Sequence, residues 1–142
     1  MKFSYINSPF HYILIDSFFA EEEYDDVWKE LVYLTPKMKD PDERYSNNFK
    51  NEPNKKGKGL FLRDVFINRE VSTIFQRTRK LHSDEVIQFI NTTNYLISGM
   101  RKIARDESIV VQNYTDGDYY KPHLYFAILS AITVLHKTPK LS

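Results

Sequence analysis

The sequence predicts an α+β fold, an N-terminal strand and helices packed on a small sheet. Three observations predict it. Apolar residues recur at helical spacing as far as about Arg105, the pattern turns strand-like from Ser108 with a β-branched run at 109–111, and a Thr115-Asp116-Gly117-Asp118 turn interrupts that second region. The 142 residues are the length of one ordinary domain, expected to span 1–142.

The first element is the apolar and aromatic run Phe10-His11-Tyr12-Ile13-Leu14-Ile15-Asp16, which reads as a strand. A helix comes next, with Tyr24, Val27, Trp28, Leu31 and Leu34 at spacings of three and four on one face. Glu21, Glu22, Glu23, Asp25 and Asp26 crowd its first turns, where the helix dipole favours negative charge. That cluster reads either as a solvated helix start or as a metal site. Pro36 ends the helix.

Residues 37–59 are rich in Lys, Asn, Asp, Pro and Gly and predict a surface loop, most strongly over 51–59. Gly57-Lys58-Gly59 is no phosphate-binding Walker loop, because the spacer and the following Lys-Ser/Thr are missing. Leu60-Phe61-Leu62 and Val65-Phe66-Ile67 return the chain to the core. Helices are expected over 69–80, marked by Val71, Ile74 and Phe75, and over 84–100. Ser83 caps the second, and Val86, Ile87, Ile90, Tyr95 and Leu96 supply its buried positions. His82 at their junction reads as a surface or capping histidine. Residues 108–114 read as a strand. The run from Tyr125 to Leu135 is apolar on both faces, which suits a strand covered on each side or a buried helix.

Composition excludes several classes of function. The 20 basic and 19 acidic residues are too evenly balanced to suggest a nucleic-acid or membrane-surface partner. There is no cysteine, so disulfide scaffolds, zinc–thiolate sites, iron–sulfur clusters and thiol nucleophiles are ruled out. Met1-Lys2-Phe3-Ser4-Tyr5 lacks the apolar run of a secretory signal, and no apolar run reaches the ~18 residues of a membrane span. A cytoplasmic protein is expected.

The residues that carry chemistry are Tyr114-Thr115-Asp116-Gly117-Asp118-Tyr119-Tyr120-Lys121-Pro122-His123. This stretch resembles the iron(II)- and 2-oxoglutarate-dependent dioxygenases of the prolyl 4-hydroxylase type, whose spacing is Tyr-x-x-Gly-x-x-Tyr-x-x-His-x-Asp. Tyr114, Gly117, Tyr120 and His123 fall on it. Ile13-Leu14-Ile15-Asp16-Ser17-Phe18-Phe19, leading into an acidic helix, is similar to the family's opening strand and helix. The other reading of the same residues is an aromatic cluster on a small sheet with an ordinary edge histidine.

The resemblance implies an incomplete double-stranded β-helix, or jelly roll, corresponding to the N-terminal two-thirds of the family domain. It implies iron(II) and 2-oxoglutarate as cofactors, with ascorbate as reductant, and a peptide or protein substrate hydroxylated at proline or a similar side chain. Such an iron takes two histidines and one carboxylate, leaving open positions for 2-oxoglutarate and dioxygen. By resemblance, His123 is the first ligand, Tyr114 hydrogen-bonds 2-oxoglutarate, Tyr120 lies beside the substrate, and Gly117 supplies a backbone conformation other residues resist.

The carboxylate position is occupied by Tyr125, and a tyrosine phenol, with an ordinary pKa of about 10 and a longer reach, cannot stand in for an aspartate. The family's second histidine and its 2-oxoglutarate-binding basic residue find no counterpart. His136 lies about 40 Å along the run if it is extended. The expectation is therefore a dioxygenase-like chain that is truncated and inactive alone. The alternative is a non-catalytic binding or assembly module, using an exposed sheet edge for strand pairing with a partner or for self-association.

Overall fold

The structure, a computed structural model, describes residues 1–41, 55–104, 106–121, 127 and 129–136. The architecture is mixed α+β. Lys2–Ile6 (β1) and Tyr12–Asp16 (β2) form an antiparallel hairpin, in register from Lys2 opposite Asp16 to Ile6 opposite Tyr12. The expected strand is thus β2, trimmed by two residues at its start. β1 is an addition to the expected elements, although Lys2-Phe3-Ser4-Tyr5 alternates with period two and Asn7-Ser8-Pro9 signals the turn.

Glu21–Leu34 (α1) buries Val27 and Leu34 and half-buries Leu31, on the face the spacing predicts. It ends where Pro36 enters a short 3₁₀ turn over Thr35–Lys37, since proline carries no amide to continue the ladder. Of the acidic start, Glu21, Glu22 and Asp25 are exposed, as a solvated helix start expects, whereas Glu23 and Asp26 are paired. Glu23, Asp26 and Glu30, at spacings of three and four, face the helix Thr73–Thr78 and the 3₁₀ turn Arg79–His82 beyond it. Glu23 pairs with Lys80 and Arg77, and Asp26 with Arg77 at 3.4 Å. The Lys80 ammonium is the main cause that holds the Glu23 carboxyl below its usual range, against partial desolvation. Glu30 accepts from the Ser72 hydroxyl at 2.7 Å and the Ile74 amide at 2.8 Å, so a carboxylate of one helix caps the start of another.

Further along, Lys55–Lys56 (β3) and Lys58–Phe61 (β4) replace the expected loop at 55–59. Local composition predicts a loop there, but a partner strand overrides it. Val110–Asn113 (β5) pairs antiparallel with β4, and Tyr119–Tyr120 (β6) with β3. On its other side β4 meets Lys39, which exchanges both backbone bonds with Gly59 at 2.9 Å. A single helical turn, Leu62–Val65 (α2), comes directly after β4.

The two longer helical expectations are each subdivided. Over 69–80 the chain makes a 3₁₀ turn at Arg69–Val71, the helix Thr73–Thr78 (α3) and the second 3₁₀ turn at Arg79–His82. Ser72 is the break, its side chain accepting from the Phe75 amide to cap α3. Asp84–Thr93 (α4) is capped by Ser83 as expected. Asn94 then leaves the helical region, at φ −147° and ψ 116°, and its side-chain oxygen accepts from the Leu96 and Ile97 amides to start Tyr95–Ile103 (α5). The Asn91-Thr92-Thr93-Asn94 run is the sequence signal for that break, because such side chains compete for backbone groups.

The principal core joins Val27, Leu34 and Met38 to Leu60, Leu62, Ile74, Phe75 and Val111. It sits between α1, α3 and the β4–β5 pair. The hairpin is tied down separately. Phe3 stacks on Phe89 of α4 at 4.8 Å, and the Asn94 amide donates to the Tyr5 hydroxyl at 2.7 Å. Val86 and Ile90 are buried one helical turn apart on α4.

The expected element over 125–135 differs. Residues 125, 126 and 128 lie outside the described residues, and Ala127 and 129–135 form neither strand nor helix. A strand exists only against a hydrogen-bonding neighbour, and among the described residues none pairs with this run. No helix among them is long and apolar enough to cross a membrane.

Candidate functional site

The chemistry-bearing residues lie on a bulged antiparallel ribbon made by β3–β4 and β5–β6. Lys58 is opposite Asn113 and Lys56 opposite Tyr119, so Gly57 alone faces the stretch from Tyr114 to Asp118. The extra residues form the turn expected at 115–118. The Asp118 amide closes it onto the Thr115 carbonyl at 2.9 Å, and Gly117 adopts φ +82°, a conformation glycine takes without steric cost.

Asp118 also fastens the turn through its side chain. Its carboxylate accepts from the Thr115 amide at 2.8 Å and the Thr115 hydroxyl at 3.0 Å, with Lys56 at 3.7 Å. The Thr115 amide, then the Thr115 hydroxyl, hold the Asp118 carboxyl below its ordinary value of 3.8, with Lys56 adding to them. By linkage, a carboxyl with a depressed folded-state pKa stabilises fully above its unfolded value and loses that contribution as pH falls through the folded value. Amide exchange at Thr115 is therefore expected to lose protection below about pH 4, beyond the intrinsic pH trend. Asp118→Asn should erase that step, and an unchanged acid profile in the variant would remove Asp118 from the turn's stability.

Two of the sequence-predicted residues flank one three-residue stretch, Lys55 to Gly57. Tyr114 lays its ring over Gly57, so close that a Cβ at position 57 would stand 3.1 Å from two ring carbons. Gly57 has φ +136°, and both observations require glycine there. The Tyr114 hydroxyl donates to the Gln112 side-chain oxygen at 2.5 Å. Tyr120 sits opposite Lys55 in the ladder, with the largely buried Lys55 ammonium 4.5 Å from its ring centroid. Both tyrosines remain about two-fifths exposed. His123 and Tyr125 lie outside the described residues.

Sequence reasoning does not single out Gly57 or Lys55 as parts of this site. The glycine is visible only as a loop former, and nothing local marks a lysine that will lie under an aromatic ring.

The arrangement offers a polar hydroxyl and a buried cation beside a tight turn. Tyr114 has one proton to donate, and to serve a carboxylate it must release Gln112. Among the described residues no three His, Asp or Glu side chains converge to hold a metal ion. His82 lies elsewhere, paired with Glu107 at 3.1 Å on the surface, in keeping with the reading of a surface histidine.

Comparison with protein-family profiles, curated proteins and solved structures finds no match to this chain.

Proposed function

We propose that this chain is an iron(II)- and 2-oxoglutarate-dependent dioxygenase-like protein of the prolyl 4-hydroxylase type, and that it does not turn over by itself. The double-stranded β-helix, the peptide or protein substrate and the cytoplasmic setting belong to the same proposal. The observation that supports it is the placement of the Tyr-x-x-Gly-x-x-Tyr spacing. Tyr114 directly succeeds strand β5, Gly117 takes the positive-φ position of the turn, and Tyr120 is the second residue of strand β6. A strand–turn–strand setting is what the motif calls for, since it must carry the chain from one tyrosine back to the next on a single ribbon.

The parent reaction inserts one oxygen atom of dioxygen into a substrate C–H bond. The other oxygen goes to 2-oxoglutarate as it becomes succinate and carbon dioxide. Inactivity follows from two departures: a phenol at position 125 replaces the carboxylate ligand, and the second ligand histidine that would complete the set with His123 has no counterpart in this sequence.

The test combines turnover with metal binding. With iron(II), 2-oxoglutarate and ascorbate, no succinate above the protein-free control is expected, and stoichiometric succinate would overturn the inactivity. Tyr125→Asp is expected to stay inactive, because His136 is the sole histidine after His123 in this sequence. Titration with manganese(II), a redox-quiet probe, should show tighter binding to Tyr125→Asp than to the wild type, a gain that adding His123→Ala abolishes. A gain that survives that substitution would sink the proposed role of His123.

A further inference from the structure

Residues 129–136 take no regular structure, and seven of these eight are exposed, Ile132 and Val134 to 87% and 86%. Leu135 rests partly on the principal core, and the Tyr24 hydroxyl donates to the His136 carbonyl, so the far end of the run is anchored. Among the described residues, no backbone group from Leu129 to Leu135 bonds to another backbone group. An exposed, uncharged run that carries β-branched residues and pairs with no strand among the described residues is a template for another strand.

We propose that this run is where two copies of the chain associate, the two segments pairing antiparallel about Ile132. The run is its own complement. Antiparallel pairing centred on Ile132 sets Leu129 against Leu135, Ser130 against Val134 and Ala131 against Thr133. The leucines then meet each other at the ends, Ile132 meets its own copy at the centre, and the small Ser130 and Ala131 oppose the β-branched Val134 and Thr133. Such a contact is two-fold symmetric and closes as a dimer.

Charge favours a second copy and this direction. There is no charged residue from Leu124 to Leu135 to select an oppositely charged partner, and the chain's net charge of +1 gives little repulsion between copies. Parallel pairing would bring the two His136 residues side by side, with the lysine next in sequence. Antiparallel pairing separates them to opposite ends of the ribbon.

Sedimentation of the full chain over a range of concentrations should show a monomer–dimer equilibrium. Ile132→Lys/Val134→Lys is expected to be monomeric throughout, and at concentrations where the wild type is also monomeric its thermal transition should be unchanged, because both side chains face solvent in the monomer. Since the chain has no cysteine, single substitutions then report the register. Ile132→Cys faces its own copy across the axis, within the ~4.5–5.5 Å Cβ separation of directly opposed residues, and should oxidise to a disulfide-linked dimer. Thr133→Cys is offset from its copy and should not. A monomeric wild-type chain, a dimer that persists in the double-lysine variant, or equal cross-linking at 132 and 133 would each overturn the proposal. So would efficient cross-linking at 133 alone, which is the wrong register.

Discussion

Leu62→Ala is expected to lower the unfolding free energy by about 3–5 kcal/mol, the range for emptying a fully buried leucine site. Leu62 is 0% exposed, and its amide bonds to the Ile109 carbonyl at 3.1 Å, so the backbone there cannot relax far into the space left behind. Against the ~5–15 kcal/mol total of a typical domain, such a loss takes away a large share of the stability. Urea denaturation would measure it, with Ile67→Ala as the control. The sequence places Ile67 in the core beside Val65 and Phe66, yet it is entirely exposed. Its truncation should change stability by no more than ~0.5 kcal/mol. Equal effects at the two positions would contradict a core built around Leu62.

The second large effect is expected at Gly57. Gly57→Val should cost about 2–4 kcal/mol, combining the strain of a β-branched residue at positive φ with overpacking. At φ +136°, a new Cβ would press on the Tyr114 ring at 3.1 Å and on the Asn113 carbonyl oxygen at 3.3 Å. The ring could swing aside, but the carbonyl belongs to the β4–β5 ladder. The substitution should therefore also move Tyr114, visible as a changed tyrosine ring environment in NMR spectra. Gly99→Ala is the contrast. It lies within α5 with nothing within 4 Å of an added Cβ, and should stabilise by ~0.5–1 kcal/mol through helix propensity alone. A Gly57→Val protein as stable as wild type would show that Tyr114 does not lie over position 57.

Much of the candidate site is legible in the sequence. The turn at 115–118 is dictated by its Thr-Asp-Gly-Asp composition, because glycine at the third position meets the positive φ that the turn adopts. The role of Gly57 is not legible. Its requirement comes from a tyrosine 57 residues away in sequence, reached only once β5 pairs with β4. Lys55 is likewise hidden, since its place beside the Tyr120 ring exists only once β6 pairs with β3.

By itself the sequence determined the α+β composition, the apolar face of α1, its end at Pro36, the cap at Ser83 and the strands β2 and β5. Each depends on neighbours within a few residues, through helical spacing, side-chain capping or β-branched crowding. Only the tertiary structure decided three other matters. It turned the acidic start of α1 into a docking stripe for Arg77, Lys80 and the N-terminus of α3. It made strands of a lysine- and glycine-rich segment by giving it β5 and β6 to pair with. It left the most strand-like run, before Leu135, without a partner among the described residues. The physical reason is common to all three: carboxylates, backbone amides and apolar strands take their state from the groups that come to lie across from them, and the chain's local order does not contain that information.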